Sequence, residues 1–233
     1  MIGKRYPFPT ATTSVEHASK EAFDRDPTRG RSPSTIQALG PLGACDCIIH
    51  GMSADSEVIS NMRLWIEKAV IGLNLCPFAR SVYVKEQIRY VISKAQSEEM
   101  LLEELRSELQ HLQATPPQQT DTTLLIHPRV LENFQDFNQF LGEAERVLAE
   151  GGWEGEFQIA SFHPHYQFSG TDPEDITNYT NRAPYPCLHL LRESSVARAV
   201  SAYPNAQSIF EANIRTLQQL GHAGWKKLGL QQG

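Results

Sequence analysis

The fold is decided by a short stretch in the middle of the chain, residues 122–128, with the sequence TTLLIHP. Leu124, Leu125 and Ile126 are all apolar, as expected of a strand that is covered on both faces. Pro128 ends this strand, since proline cannot donate a backbone hydrogen bond to a sheet. The stretch therefore indicates a buried strand between layers of helices, which is the arrangement of α/β proteins.

The flanking sequence repeats this unit. Further strands are predicted at residues 88–93, 156–163 and 187–192, and helices at 58–73, 98–114, 131–150, from 194 or 195 to before 204, and at 209–220. Ser97 is the predicted cap of the second of these helices, and Gly221 is predicted to end the last one. Strand–helix–strand alternation makes the first three strands parallel, whereas the direction of the fourth is open. We predict a single α/β domain over residues 55–230, with a small mixed, largely parallel sheet of about four strands flanked by helices.

The first 54 residues differ in composition from the rest. They are rich in Ser, Thr, Pro and Gly and lack apolar periodicity, which favours a disordered N-terminal tail. A targeting extension that directs the protein to an organelle is the alternative, although Glu16, Glu21, Asp24 and Asp26 are unusual in transit sequences. A cytoplasmic location is expected otherwise.

Charge and hydropathy limit the classes of partner that we expect. The formal net charge is −6, and the sequence has no basic stripe interleaved with aromatic residues. We therefore expect no nucleic-acid partner. The apolar runs are far shorter than the ~20 residues of a membrane helix, so we expect a soluble protein without a membrane partner. A small-molecule substrate is the expected partner, and the oligomeric state is not predicted.

Two histidines stand where predicted strands end. His127 and His163 are each followed by proline, and ligands of open α/β sheets bind outside the carboxyl ends of the strands. We predict one functional site here, with His163 and His165 as catalytic residues. The alternative interpretation is that each strand-end histidine only bonds a loop carbonyl.

Pairs of ligand-type residues suggest a metal ion. His163 and His165 are two residues apart, as are Cys187 and His189, and such residues of a strand share a face. These four residues and His127 are the five candidate ligands for zinc or iron. An antiparallel fourth strand would place Cys187 near His163. Cys187 and His189 are core residues in the alternative interpretation.

The polar loop between the last two strands supplies candidate substrate contacts. Arg182 is suited to bind a carboxylate or phosphate, and Asn178 and Asn181 can add neutral hydrogen bonds. Tyr185 and Arg192 complete the predicted substrate-binding set, Arg192 reaching the site if the fourth strand is parallel. A loop held by an internal Arg–Asp pair is the alternative.

Cys76 is a third candidate catalytic residue. A turn that starts at Pro77 would place the thiol at its N-terminus, where backbone N–H groups lower a thiol pKa, and a Cys–His nucleophilic pair becomes conceivable. The alternative is a small buried residue at a corner of the fold.

Several segments resemble a mostly bacterial family, domain of unknown function 1415. They are residues 72–79 (GLNLCPFA), 162–164 (FHP), 178–186 (NYTNRAPYP) and 188–193 (LHLLRE). The resemblance covers Glu57 to Lys227 and implies that these segments form one domain. It does not imply any particular activity.

The leading functional hypothesis is an enzyme with a histidine-centred site that acts on a small anionic or carbonyl-bearing substrate. A hydrolase, which could use the metal ion, is the simplest reaction class. Two alternatives are a non-catalytic protein that binds a small anion and a thiol-based activity at Cys76.

Overall fold

The computed structural model describes residues 54–202 and 208–230. Its helices are α1 (Ala54–Trp65), α2 (Ala79–Val84), α3 (Glu98–Ala114), α4 (Phe134–Glu150), α5 (Glu193–Ser201) and α6 (Ile209–Lys226). Its strands are β1 (Ile88–Ile92), β2 (Thr122–Ile126), β3 (Phe157–Phe162) and β4 (Cys187–Arg192). A π-helical turn (Ile66–Ile71) continues α1, and a 3₁₀ helix (Ile176–Thr180) lies in the loop before β4. The prediction of an N-terminal tail falls outside the described residues, except for Ala54, which begins α1.

The four strands form one mixed sheet in the order β1, β2, β4, β3. β1 and β2 are parallel, and β4 runs antiparallel to both of its neighbours, β2 and β3. The strands β1, β2 and β3 therefore point the same way, and the start of β4 meets the carboxyl ends of β2 and β3. The predicted α/β fold with a mixed sheet is confirmed, and the fourth strand is antiparallel.

Helices cover both faces of the sheet. α3 and α4 pack against Leu125 and Leu188, on a side that we call the α4 face. α1, the π-helical turn and α6 pack against Leu124 and Ile126, on the α1 face. This double coverage explains why the last three residues of β2 are all apolar. Among the described residues, no helix is long and apolar enough to cross a membrane.

The helix predicted for residues 58–73 ends well before Pro77. The N–H of Gly72 bonds to the carbonyl of Glu67 at 2.9 Å, five residues back, which is the spacing of a π-helix. A Cβ atom at Gly72 would lie 2.3 Å from the carbonyl oxygen of Lys68, so the backbone approach requires glycine. The short helix α2 that follows was not predicted.

Helix α4 begins at Phe134, three residues later than predicted. Leu131 has a φ of 60°, which an α-helix cannot contain. Asn133 then caps the helix, because its Oδ1 accepts the backbone N–H groups of Gln135 at 2.8 Å and Asp136 at 3.3 Å. The loop after β2 is therefore longer than the sequence pattern indicated.

Of two other predicted helix boundaries, one is confirmed and the other is wrong. Ser97 caps α3 as expected, with its Oγ accepting the N–H of Met100 at 3.4 Å. Gly221 has a φ of 61° and breaks the regular geometry of α6, but the helix resumes and continues to Lys226. Gly221 therefore kinks the helix and does not end it.

Candidate functional site

The carboxyl ends of β2 and β3 lie at one edge of the sheet, separated by the start of β4. Cys187, the first residue of β4, pairs with Ile126 at the end of β2 and with Phe162 at the end of β3. His127 and His163 each follow one of these end residues. The structure therefore brings the two strand-end histidines to the same edge.

Both histidines face α4. Successive residues of a strand point to opposite faces, and Ile126 and Phe162 pack on the α1 face. The next residues turn to the α4 face, where the imidazoles of His127 and His163 lie against the ring of Phe137, with centroid distances of 5.6 and 5.1 Å. We call His127 and His163 the buried histidine pair.

Cys187 and His189 face the opposite side of the sheet. Cys187 packs on the α1 face with its pairing partner Ile126, and His189, two residues along β4, shares that face. The sheet therefore separates both residues from the buried histidine pair. The predicted ligands do not converge, and the described residues hold no group of three or more His, Cys, Asp or Glu side chains placed for a metal ion.

His189 and Cys187 have the surroundings of core residues. The Nε2 of His189 lies 2.7 Å from the hydroxyl of Thr122, which itself donates to the carbonyl of Leu190 at 2.6 Å. The hydroxyl can therefore accept the Nε2 proton of a neutral imidazole, and burial lowers the pKa of His189 to about 4. Burial raises the pKa of the Cys187 thiol. This arrangement matches the alternative interpretation of the two residues.

His127 supports the loop that follows β2. Its Nδ1 lies 3.0 Å from the carbonyl oxygen of Val130, a contact that assigns the proton to Nδ1. Its Nε2 is buried and has no hydrogen-bond partner among the described residues. Burial lowers the pKa of His127 to about 4, so the imidazole is neutral at pH 7.

His163 is held by the backbone at both of its nitrogens. Its Nδ1 accepts the backbone N–H of His165 at 3.0 Å, and its Nε2 lies 3.2 Å from the carbonyl oxygen of Leu131, to which it donates. Burial lowers the pKa of His163 to about 4. The side chain is completely buried, and binding a metal would require it to give up a backbone partner. This is the loop-bonding role that the alternative interpretation described.

A cleft of about 340 Å³ opens next to the buried histidine pair. Its walls are the start of α4, the turn after β3 and part of the loop before β4. Its lining includes the polar side chains Glu132, Gln135, His165, Gln167, Glu174 and Arg182 and the aromatic ring of Phe134. The volume lies at the lower end of the ~300–1,000 Å³ that is usual for small-molecule sites.

His165 lines this cleft and is exposed. The chain turns directly after β3, where the N–H of Tyr166 bonds to the carbonyl of His163 at 3.0 Å. His163 and His165 therefore do not share a face, because the alternation of a strand stops at Phe162. Their ring centroids are still only 5.9 Å apart.

Arg182 lines the cleft on the loop side. Its Nε donates to the carbonyl of Tyr166 at 3.1 Å, and its Nη2 donates to the carbonyl of Pro173 at 2.6 Å. Its guanidinium also lies over the ring of Tyr179, 4.5 Å from the centroid. Backbone carbonyls, and not the Asp side chain of the alternative interpretation, thus hold this arginine in place.

Asn178 and Asn181 hold the loop together. Asn178 is completely buried, its Oδ1 accepts the N–H of Phe168 at 3.0 Å, and its Nδ2 donates to the carbonyl of Asp172 at 2.9 Å. Asn181 donates from Nδ2 to the carbonyl of Ser161 at 3.1 Å. Both amides shape the wall of the cleft and neither is among its lining residues.

The sequence from residue 57 to residue 227 matches the model of one family, described as protein of unknown function (DUF1415). The chain belongs to the DUF1415 family. The matched region contains all four strands and every residue of the cleft, so the resemblance found in the sequence is confirmed. Comparison with curated proteins and with solved structures finds no match.

Tyr185 and Arg192 of the DUF1415 domain lie away from the cleft. The hydroxyl of Tyr185 accepts a hydrogen bond from Nδ2 of Asn61 in α1 at 3.0 Å, and its ring packs on the α1 face. Arg192 ends β4 at the opposite edge of the sheet, because this strand is antiparallel. Neither residue lies with the predicted substrate contacts around Arg182.

Arg192 instead binds backbone carbonyls around the end of α3. Its Nη2 contacts the carbonyl oxygens of Leu112, of Thr115 at 2.5 Å and of Thr120 at 3.3 Å. Burial lowers its pKa, although an arginine stays protonated in proteins. The residue has a structural role at this edge.

Cys76 has the predicted position but not the predicted acidity. The backbone N–H groups of Phe78 and Ala79 do bond to the thiol and lower its pKa, but burial has the larger effect and raises the pKa above its usual value. Its neighbour Leu75 packs on the α1 face, whereas the buried histidine pair lies on the other face. The structure therefore places no strand-end histidine beside this thiol.

The sequence reasoning missed the acidic and amide side chains of the cleft. Glu132 and Gln135 were assigned to a helix that starts at residue 131, and Gln167 and Glu174 belong to a loop in which only the Asn, Arg and Tyr residues were considered. The rule that ligands bind beyond the carboxyl ends of strands also applies to the loop after β2, and this signal could have identified Glu132.

Proposed function

We propose that this protein is an enzyme that binds a small carboxylate- or carbonyl-bearing molecule in the cleft and uses His165 to transfer a proton. The reaction that fits a lone exposed imidazole is hydrolysis. His165 would accept a proton from water as the water oxygen bonds to the carbonyl carbon, and it would return that proton to the leaving group when the bond to that group breaks.

The observation that carries this proposal is the way in which His165 is held. Its backbone N–H is fixed by Nδ1 of the buried His163, while its imidazole is exposed in the cleft. A general base must be both accessible and positioned, and histidine is the side chain best suited to proton transfer near neutral pH. His163 thus serves as a positioning residue.

Arg182 supports the choice of substrate class. Because two backbone carbonyls and an aromatic ring fix its guanidinium, little side-chain entropy remains to be lost on binding. A guanidinium is suited to a carboxylate or a polarised carbonyl oxygen. We therefore assign Arg182 to substrate orientation.

The metal and thiol hypotheses have less support. The five predicted metal ligands are divided between the two faces of the sheet, and both nitrogens of His163 already have backbone partners. The raised pKa of Cys76 disfavours the thiolate that a thiol mechanism needs. Elemental analysis of protein purified without chelators would revive the metal hypothesis if it found stoichiometric zinc or iron.

A turnover screen tests the proposal. The purified protein is incubated with a panel of small esters, amides and keto acids, and products are followed by NMR. We expect at least one compound to be hydrolysed and the rate to fall at least about a hundredfold in a His165→Gln variant, the usual contribution of a general base. His111→Gln is the matched control, since His111 is exposed near the end of α3.

One result would contradict the enzyme assignment, and another would contradict the role of His165. If no compound is turned over while several bind at the cleft, the protein is a binding protein for small anions, which is the alternative function. If His165→Gln turns over its substrate as fast as the wild type, the catalytic role of His165 is wrong.

A further inference from the structure

The charges around the cleft do not match a simple anion. Among the described residues, Arg182 is the only lysine or arginine that lines the cleft, whereas two glutamates, Glu132 and Glu174, also line it. Both glutamates are exposed, so each can accept hydrogen bonds from a ligand. The cleft thus offers one fixed cation and an excess of negative charge.

The cation of this set is prepared to bind a ligand. A guanidinium has five N–H groups, and among the described residues only two of those of Arg182 have hydrogen-bond acceptors, the carbonyls of Tyr166 and Pro173. The remaining N–H groups are available to a carboxylate. Glu174 directly follows Pro173, so a carboxylate of the protein lies one residue from the point where Arg182 is anchored.

We infer that the ligand of the cleft is a zwitterion of the amino-acid type, with its carboxylate at Arg182 and its ammonium group at Glu132 and Glu174. This inference rests on the proposed function, since it names the class of substrate that would meet His165. A partly buried ring, Phe134, is the apolar surface available to a side chain of such a ligand.

Charge complementarity favours a zwitterion over three other classes. A phosphate-type dianion would bring two or more negative charges to a cleft with a single arginine, and like charges brought close together are strongly unfavourable. A simple carboxylate would leave both glutamates without a cation. A simple amine would leave the remaining N–H groups of Arg182 unused. A molecule with one charge of each sign satisfies both sets of groups.

The experiment measures binding by the shifts of backbone amide NMR signals of the full-length protein. A panel of amino acids is titrated first, and the tightest binder is compared with two analogues that lack either the ammonium group or the carboxylate. For leucine these analogues are isocaproate and isoamylamine. We expect the amino acid to bind at least about tenfold more tightly than either analogue, since each lost charge-assisted contact weakens binding by that order.

A matched set of variants tests the role of the carboxylates. Glu174→Gln and Glu132→Gln should each weaken binding of the amino acid several-fold. Neither should weaken binding of the analogue without the ammonium group, because that anion loses only a like-charge repulsion. Glu145→Gln is the control, because Glu145 is exposed on the same helix, about three turns from its start. This variant should change neither affinity.

The outcomes separate this inference from the proposed function. If the analogue without the ammonium group binds as tightly as the amino acid, or if the glutamate variants bind the amino acid as tightly as the wild type does, the zwitterion inference is overturned and a carboxylate-binding enzyme stands. The same holds if no amino acid shifts signals of the cleft while esters or keto acids are turned over. If neither group of compounds binds, both are overturned.

Discussion

Buried side chains hold the connecting backbone at both edges of the sheet, but the two edges use different residues. At the carboxyl edge, the buried histidine pair bonds the carbonyls of Val130 and Leu131, just before α4 begins. At the opposite edge, Arg192 bonds carbonyls around the end of α3. Each edge thus uses buried N–H donors to hold the backbone between a strand and a helix.

The two edges differ in the charge of the buried side chains and in whether a cleft lies beside them. The histidines are neutral because burial lowers their pKa to about 4, whereas Arg192 carries a permanent charge next to the carbonyl ends of a helix, where a cation is favourable. The histidine edge opens into a cleft with an exposed imidazole, whereas Arg192 is buried. We therefore expect the stability of the histidine edge to depend on pH and that of the arginine edge not to.

Acidification should have the largest effect. In the unfolded chain the histidines have a pKa near 6.5, and in the folded protein His127, His163 and His189 have a pKa of about 4. The unfolded state therefore binds more protons between these values, and the free energy of unfolding should fall as the pH drops from about 6.5 to about 4. The slope should reach up to about 1.4 kcal/mol per pH unit for each histidine.

Urea unfolding at a series of pH values measures this slope. The control is the double variant His127→Leu/His163→Leu, in which only His189 of the three remains. A slope that is the same in the wild type and in the double variant would show that the buried histidine pair does not cause the pH dependence.

Removal of the buried arginine should have the next largest effect. Arg192→Met leaves three carbonyl groups without their donor, and we expect a loss of about 3 kcal/mol or more in the free energy of unfolding. The loss should be equal at pH 5 and pH 7, as measured by urea unfolding. Arg198→Met, at an exposed position of α5, should cost less than about 0.5 kcal/mol, and an equal cost for both variants would contradict the assignment.

His163→Leu should have a smaller effect on stability. It leaves the carbonyl of Leu131 and the N–H of His165 without partners, which should cost about 2 kcal/mol. The backbone of His165 should also become more mobile, and NMR relaxation of its amide can test this. An unchanged amide of His165 would contradict the positioning role of His163.

His127→Leu should have the smallest effect. It removes one hydrogen bond, to the carbonyl of Val130, and also a buried nitrogen without a partner among the described residues. We expect a net cost of about 1 kcal/mol, measured by urea unfolding next to His163→Leu. If His127→Leu were the more destabilising of the two, the Nε2 of His127 would have to have a partner such as an ordered water molecule.

The order of elements could be predicted from the sequence because each strand or helix has a strong local signal. β2 is buried throughout and ends in three apolar residues since both of its faces are covered, and Ser97 caps α3 as its position suggested. α2 was missed because six residues are too few to show helical periodicity. The start of α4 was misplaced because the positive φ of Leu131 leaves no mark in the sequence.

The positions of the candidate residues along the strands could be predicted more reliably than the faces of the sheet on which their side chains lie. The strand-end rule placed His127 and His163 together, because it depends only on strand direction. The metal hypothesis did not consider on which face of the sheet each candidate ligand lies. That face depends on the register that pairs Cys187 with Ile126 and Phe162. The register is set by long-range pairing and not by local sequence. The rule of two-residue spacing also does not apply to His165, since β3 ends at Phe162.

The position of β4 has a consequence for how the chain acquires its structure during synthesis. Of the described strands, β4 is the last to be made, yet it lies between β2 and β3. Until residues 187–192 have left the ribosome, β3 has no neighbouring strand among the described residues, and one side of β2 has free backbone donors and acceptors. Such an unpaired strand edge can pair with another chain. Nascent chains that stop before Cys187 should therefore be prone to aggregate, whereas the completed sheet has no open position at its centre.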